Sequence, residues 1–115
     1  MKYFSPKEVD CPCCGGLPKE AMLIKLDQIR EEWGKPLIVT SGYRCPQYNR
    51  KIGGAKKSAH CEGKAIDVSD VKGDLYEWLV ANADRLNIWL EDRRDAPTWA
   101  HISIRPGVSG RVFRA

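Results

Sequence analysis

Apolar positions recur at helical spacing in two places along the chain. In residues 17–34, LPKEAMLIKLDQIREEWG, the residues Met22, Leu26, Ile29 and Trp33 fall on one side of a helix. Pro18 suits its first turn and Gly34 its end. In residues 72–87, KGDLYEWLVANADRLN, Leu75, Trp78, Leu79 and Leu86 form a second stripe, with Asp74 as the expected N-cap. Short β-branched or alternating runs lie between and after these helices. PLIVTS (36–41) and KAIDVS (64–69) read as strands, as do IWLED (88–92) and WAHISI (99–104), which the polar loop RRDAPT joins. CPQYNRKI (45–52) suits a short helix that ends at Gly53 and Gly54, and RVF (111–113) suits an edge strand. Residues 1–16, punctuated by Pro6, Pro12, Gly15 and Gly16, read as an irregular entry segment. The sum is an α+β fold with a small antiparallel sheet flanked by helices, and the tight strand-loop-strand joins are the reason for expecting antiparallel pairing.

Length and composition narrow the class. A chain of 115 residues is expected to form one domain, spanning 1–115, with a modest core. The net charge of +4 is interspersed, so no basic tail for nucleic acid is expected, and a mild positive excess suits an anionic polymer. Nothing approaches a membrane span, and the N-terminal MKYFSPKEVDC has no apolar run of signal-peptide length. The expectation is synthesis as a soluble cytosolic monomer, with any role outside the cell needing another export route. Five cysteines (Cys11, Cys13, Cys14, Cys45, Cys61) cannot all pair within one chain. The CPCC cluster suggests metal, but the second knuckle that a structural zinc site needs is missing from the sequence. Reduced or partly paired thiols are therefore the favoured reading.

Candidate chemistry centres on KKSAHCEGKAIDVSD, residues 56–70. His60 could be a metal ligand, an ordinary loop histidine, or half of a pair with Cys61. Adjacent side chains diverge, which disfavours the pair. Ser58 and Ser41 lack a nucleophile-elbow context. Asp67 sits inside an apolar strand, where an unpaired carboxylate is costly. His101 sits inside another. His60, Asp67 and His101 would make a three-ligand zinc site with the fourth position left for water. Equally, the histidine could be a satisfied strand residue and Asp67 the partner of an arginine. Such a site also needs a carboxylate outside the metal shell as general base.

The run SGYRCPQYNRKIGGAKKSAHCEGKAIDV, residues 41–68, resembles the zinc D-Ala-D-Ala carboxypeptidase family. That family also contains phage L-alanyl-D-glutamate endopeptidases and is related in fold to the hedgehog signalling domain. The matching residues are Ser41 to Arg44, Asn49, Gly53, Gly54, Ser58, His60, Gly63, Ala65, Asp67 and, on a later strand, His101; the likeness spans roughly residues 4–104. The resemblance implies one Zn²⁺ on His60, Asp67 and His101. Arg44 would hold a substrate carboxylate or carbonyl, for which a planar fork is suited. Ser58 would support the metal site and contact substrate, Trp99 would wall the cleft, and Tyr43 would pack in the core.

The chain departs from the family pattern at position 98. Many members carry Glu or Asp three residues before the last histidine, and here that residue is Thr98. Glu91, at the end of IWLED, is the preferred base, with Asp92 second and Asp95 third. The implied function is hydrolysis of a peptide bond in the stem peptide of bacterial peptidoglycan. The implied setting is a phage or prophage lysis enzyme acting at the wall after release, or a domain on a phage particle. Two alternatives stand beside it. One is a zinc-stabilised domain that binds peptidoglycan or a protein partner without turnover. The other is a thiol-rich zinc or redox protein built on Cys11, Cys13 and Cys14.

Overall fold

The computed structural model describes residues 1–107 and 110–115. Among these residues four helices, α1 (Pro6–Val9), α2 (Glu20–Trp33), α3 (Pro46–Lys51) and α4 (Asp74–Leu86), accompany five strands. The strands are β1 (Val39–Ser41), β2 (Ala65–Ser69), β3 (Trp89–Glu91), β4 (Trp99–Ser103) and β5 (Val112–Phe113). They form one sheet in the order β1-β2-β4-β3-β5. The first four pair antiparallel, as expected, while β5 joins β3 in parallel, so the α+β sheet is mixed.

Alternation along β2 and β4 divides their residues between two jobs. Ile66 lies opposite Ile102 and Val68 opposite Ala100. These four are fully buried in a core with Leu90, with Met22, Leu26 and Ile29 of α2, and with Leu75, Leu79, Ala83 and Leu86 of α4. Each fully buried aliphatic side chain contributes about 1.5–3 kcal/mol, and this core holds the sheet in place. Trp33 and Trp78, expected in the buried stripes, are partly buried at its edge, with ring centroids 5.4 Å apart.

Local signals explain where expected elements shift. The entry segment is not wholly irregular. Ser5 and Glu8 close a capping box, with the Glu8 carboxylate accepting the Ser5 N–H at 3.1 Å, and Pro6 occupies the first turn of α1. The strand expected over 36–41 begins only at Val39, because Ile38 is 68% exposed while Leu37 turns into the core. Asp74 is the first helical residue of α4, not its cap. The Asp70 carboxylate accepts the N–H groups of Leu75 and Tyr76 at 3.3 and 2.8 Å and does the capping from the end of β2. Helix α2 starts at Glu20, just beyond Pro18, and ends at Gly34 in the left-handed conformation.

Helix α1 is short but sets the approach to the cleft. The Val9 carbonyl accepts the Tyr43 N–H at 3.0 Å. A Cβ on Gly42 would lie 2.0 Å from that same carbonyl oxygen, so only glycine fits this crossing.

Candidate active site

The other set of alternating positions builds a polar row across the sheet. Ser41 is in register with Asp67, and Asp67 with His101. Glu91 follows on β3, one step beyond the Leu90–Ile102 pair, and Phe113 on β5 is in register with Glu91. All five side chains therefore belong to the face opposite the apolar core. A cleft of about 710 Å³ opens over this face, lined among others by Arg44, Ser58, Asp67, Glu91, Trp99 and Phe113.

His60 reaches the row from the loop before β2. Its Nδ1 donates to the Gly42 carbonyl at 2.8 Å, and its Nε2 lies 3.2 Å from Asp67 Oδ1. His101 Nδ1 lies 2.9 Å from the same carboxylate oxygen. The imidazole rings meet edge to face with centroids 5.0 Å apart. His60, Asp67 and His101 are 2%, 7% and 8% exposed. Burial pushes the Asp67 carboxyl up, but the adjoining His101 and His60 rings outweigh it and hold the group well below the ordinary carboxylate range.

The donor chemistry fits a metal ion. A backbone carbonyl only accepts, so His60 must carry a proton on Nδ1, and Nε2 of the neutral ring is then a lone pair facing a carboxylate oxygen. Two acceptors at that distance require a cation or a further proton between them. Two imidazole nitrogens and one carboxylate oxygen, all within 4.8 Å of one another, form a set suited to zinc. The Gly42 carbonyl is the kind of outer partner that fixes a ligating ring's tautomer and orientation.

Arg44 works behind this trio. Its Nη2 donates to Asp67 Oδ2 at 3.3 Å, its Nε to Ser41 Oγ at 3.0 Å and its Nη1 to Asn49 Oδ1 at 3.4 Å. One Asp67 oxygen thus faces the histidines while the other is held by the guanidinium. Asn49 is itself fixed, donating to the Ala55 carbonyl at 2.7 Å. Arg44 lines the cleft, yet much of its fork is engaged with protein groups instead of being free for substrate alone. Ser41, Asn49 and Gly42 were not singled out as site residues from the sequence. The clue was present, since Ser-Gly-Tyr-Arg and the Asn belong to one motif, but their contacts depend on the fold.

The candidate carboxylates separate cleanly. Glu91 Oε2 lies 4.0 Å from His101 Nδ1. Burial raises its pKa, with the charges of Asp67 and Asp95 adding to the rise and His101 opposing it. Asp92 turns away, accepting from the backbone N–H and guanidinium of Arg94 at 2.9–3.1 Å. Asp95 is bonded to Arg114 and to the Ala115 N–H. Neither is brought to the His–Asp–His trio. Ser58 lines the cleft, but its Oγ accepts the His60 N–H at 3.1 Å, so it shapes the loop that carries His60. Trp99 is half-buried and lines the cleft on the strand of His101. Cys61 is half-buried and makes no side-chain contact with His60 among the hydrogen bonds of that ring.

A search of curated proteins found no match to the chain. A family model described as Peptidase M15 matches residues 2–88. That span covers α1 to α4 together with Arg44, His60 and Asp67, and it stops just before the strands that carry Glu91 and His101. The motif resemblance and the match agree: this chain belongs to the Peptidase M15 family.

Proposed function

We propose that this chain is a zinc metallopeptidase that hydrolyses a peptide bond in the stem peptide of bacterial peptidoglycan, of the D-Ala-D-Ala carboxypeptidase or L-Ala-D-Glu endopeptidase type. The observation that carries the reading is the buried His60–Asp67–His101 trio with Glu91 beside it on the wall of an open cleft.

His60 Nε2, Asp67 Oδ1 and His101 Nδ1 would hold the ion. Zinc, when bound, supplies a Lewis acid that polarises a carbonyl and lowers the pKa of a coordinated water to about 7. Glu91 removes a proton from the attacking water as its oxygen bonds to the scissile carbonyl carbon. It returns that proton to the amine as the C–N bond breaks, and its half-buried setting suits a base that must also serve as an acid. Arg44 holds Asp67 in orientation, and its remaining N–H groups can meet a substrate carboxylate or carbonyl. Trp99 and Phe113 give the cleft apolar walls that exclude water. The same reading includes action at the cell wall, as a phage or prophage lysis enzyme or on a phage particle. Among the described residues, no helix is long and apolar enough to cross a membrane.

Incubation of the zinc-loaded protein with purified peptidoglycan tests the proposal. New amino groups are expected, and mass spectrometry of the released muropeptides names the bond. Binding without any new amino groups would leave the non-catalytic module as the correct reading. That alternative leans on the missing carboxylate at position 98, and Glu91 on the neighbouring strand weakens it.

A further inference from the structure

A second cluster of metal-binding side chains lies outside the cleft. The thiol sulfurs of Cys11, Cys14 and Cys45 all lie within 4.8 Å of one another. All five cysteines are free thiols. Cys11 and Cys14 have the C-x-x-C spacing of a zinc knuckle, and the backbone between them is folded as one. The Gly15 N–H donates to the Cys11 carbonyl, and the Cys11 N–H to the Gly16 carbonyl, both at 2.8 Å. Gly15 takes a φ of 72°, which costs glycine nothing.

Each of the three sulfurs also accepts a backbone N–H at 3.4 Å: Cys14 from Gly16, Cys11 from Cys45, and Cys45 from Tyr48. Three sulfurs gathered at this spacing offer a set of soft donors that one cation can join. A disulfide could use only two of the three.

We propose that Cys11, Cys14 and Cys45 bind a second, structural zinc ion. The fourth corner of a tetrahedral site would be left to Cys13, to Cys61 or to water. In place of the missing second knuckle the fold brings in the single Cys45. The ion would fasten residues 11–14 to Cys45, the residue after Arg44. With the Tyr43–Val9 hydrogen bond, it would clamp the SGYR segment from two sides. This site is independent of the peptidase reading.

Cobalt(II) added to the reduced full-length chain is the direct probe, because thiolate ligands give an intense charge-transfer band in the near ultraviolet that histidine and carboxylate ligands do not. The band is expected in wild type and in the His60→Ala/His101→Ala variant, and its loss in Cys11→Ser and Cys45→Ser. Zinc bound per chain should fall by one equivalent in each cysteine variant. No thiolate band in the wild-type chain overturns the proposal, even if the cysteine variants fail to fold. So does a disulfide among these three residues, found by peptide mapping of the protein purified without reductant.

Discussion

The two faces of the central sheet are made from alternate residues of the same strands, and they do different work. On one face Ile66, Val68, Ala100 and Ile102 are wholly buried among the side chains of α2 and α4. On the other, Asp67 and His101 are almost as buried, yet both Asp67 oxygens and His101 Nδ1 lie against other polar groups. Burial alone therefore does not separate core from site. What separates them is whether the buried atoms have partners. The apolar face gains from losing water, whereas the polar face pays desolvation and recovers it through a hydrogen-bonded arrangement. Changes on one face should move stability and changes on the other should move chemistry.

The largest expected separation comes from Glu91→Gln, which keeps shape and removes the proposed base. The rate of amino-group release should fall by about 10²–10⁴-fold, with zinc content and melting temperature unchanged. Equal loss of activity in Asp92→Asn would instead move the base to Asp92. On the opposite face, Ile102→Ala leaves a cavity in the core and should cost about 2–5 kcal/mol in a denaturant melt. The rate per folded, zinc-loaded molecule should stay near wild type, and a selective drop in that rate would show that the two faces are not separable.

Arg44→Lys sharpens the comparison from behind the site. Lysine keeps the charge but cannot bond Ser41, Asn49 and Asp67 at once, so metal affinity should fall by about 10–100-fold in competition with a chelator. Unchanged affinity would limit Arg44 to substrate contact. The smallest effect belongs to Asp92→Asn, adjacent to Glu91 but turned the other way. Hydrogen bonds from Arg94 hold the Asp92 carboxyl at about 2. A carboxyl depressed in the folded state stabilises above its unfolded pKa and loses that contribution as pH falls toward the folded value. At neutral pH, activity should be unaltered, and any small loss of stability should be present there and vanish in acid melts as the wild-type carboxyl takes up its proton.

Local patterns carried much of this architecture. Helical spacing located α2 and α4, alternation located β2 and β4, and a lone carboxylate in an apolar strand marked Asp67 as partnered. The capping box of Ser5 and Glu8 was also legible, though the prolines and glycines around it obscured so short a helix. Pro36 to Ile38 reads as strand because its residues are apolar, but only tertiary packing decides that Leu37 enters the core while Ile38 faces water. The parallel attachment of β5 left no local trace, since direction depends on where the chain returns. For the same reason, Cys45 could not be matched to Cys11 by spacing. An arginine partner for Asp67 was foreseeable, but that Arg44 supplies it depends on the fold.

The sharing of the Asp67 oxygen by two histidines has a consequence for how the site comes into being. His60 is 7 residues away along the chain, whereas His101 is 34 residues away. The first contact closes a short loop and can form early, with Arg44 and Asn49 close at hand. The second must wait until α4 is made and β4 has docked against β2, a closure that costs more chain entropy. During synthesis the ribosome thus releases a half-formed pocket first, with two donors and an arginine nearby. Under the proposed zinc reading, firm retention of an ion would wait on the last third of the chain, which would make metal uptake a late checkpoint of folding.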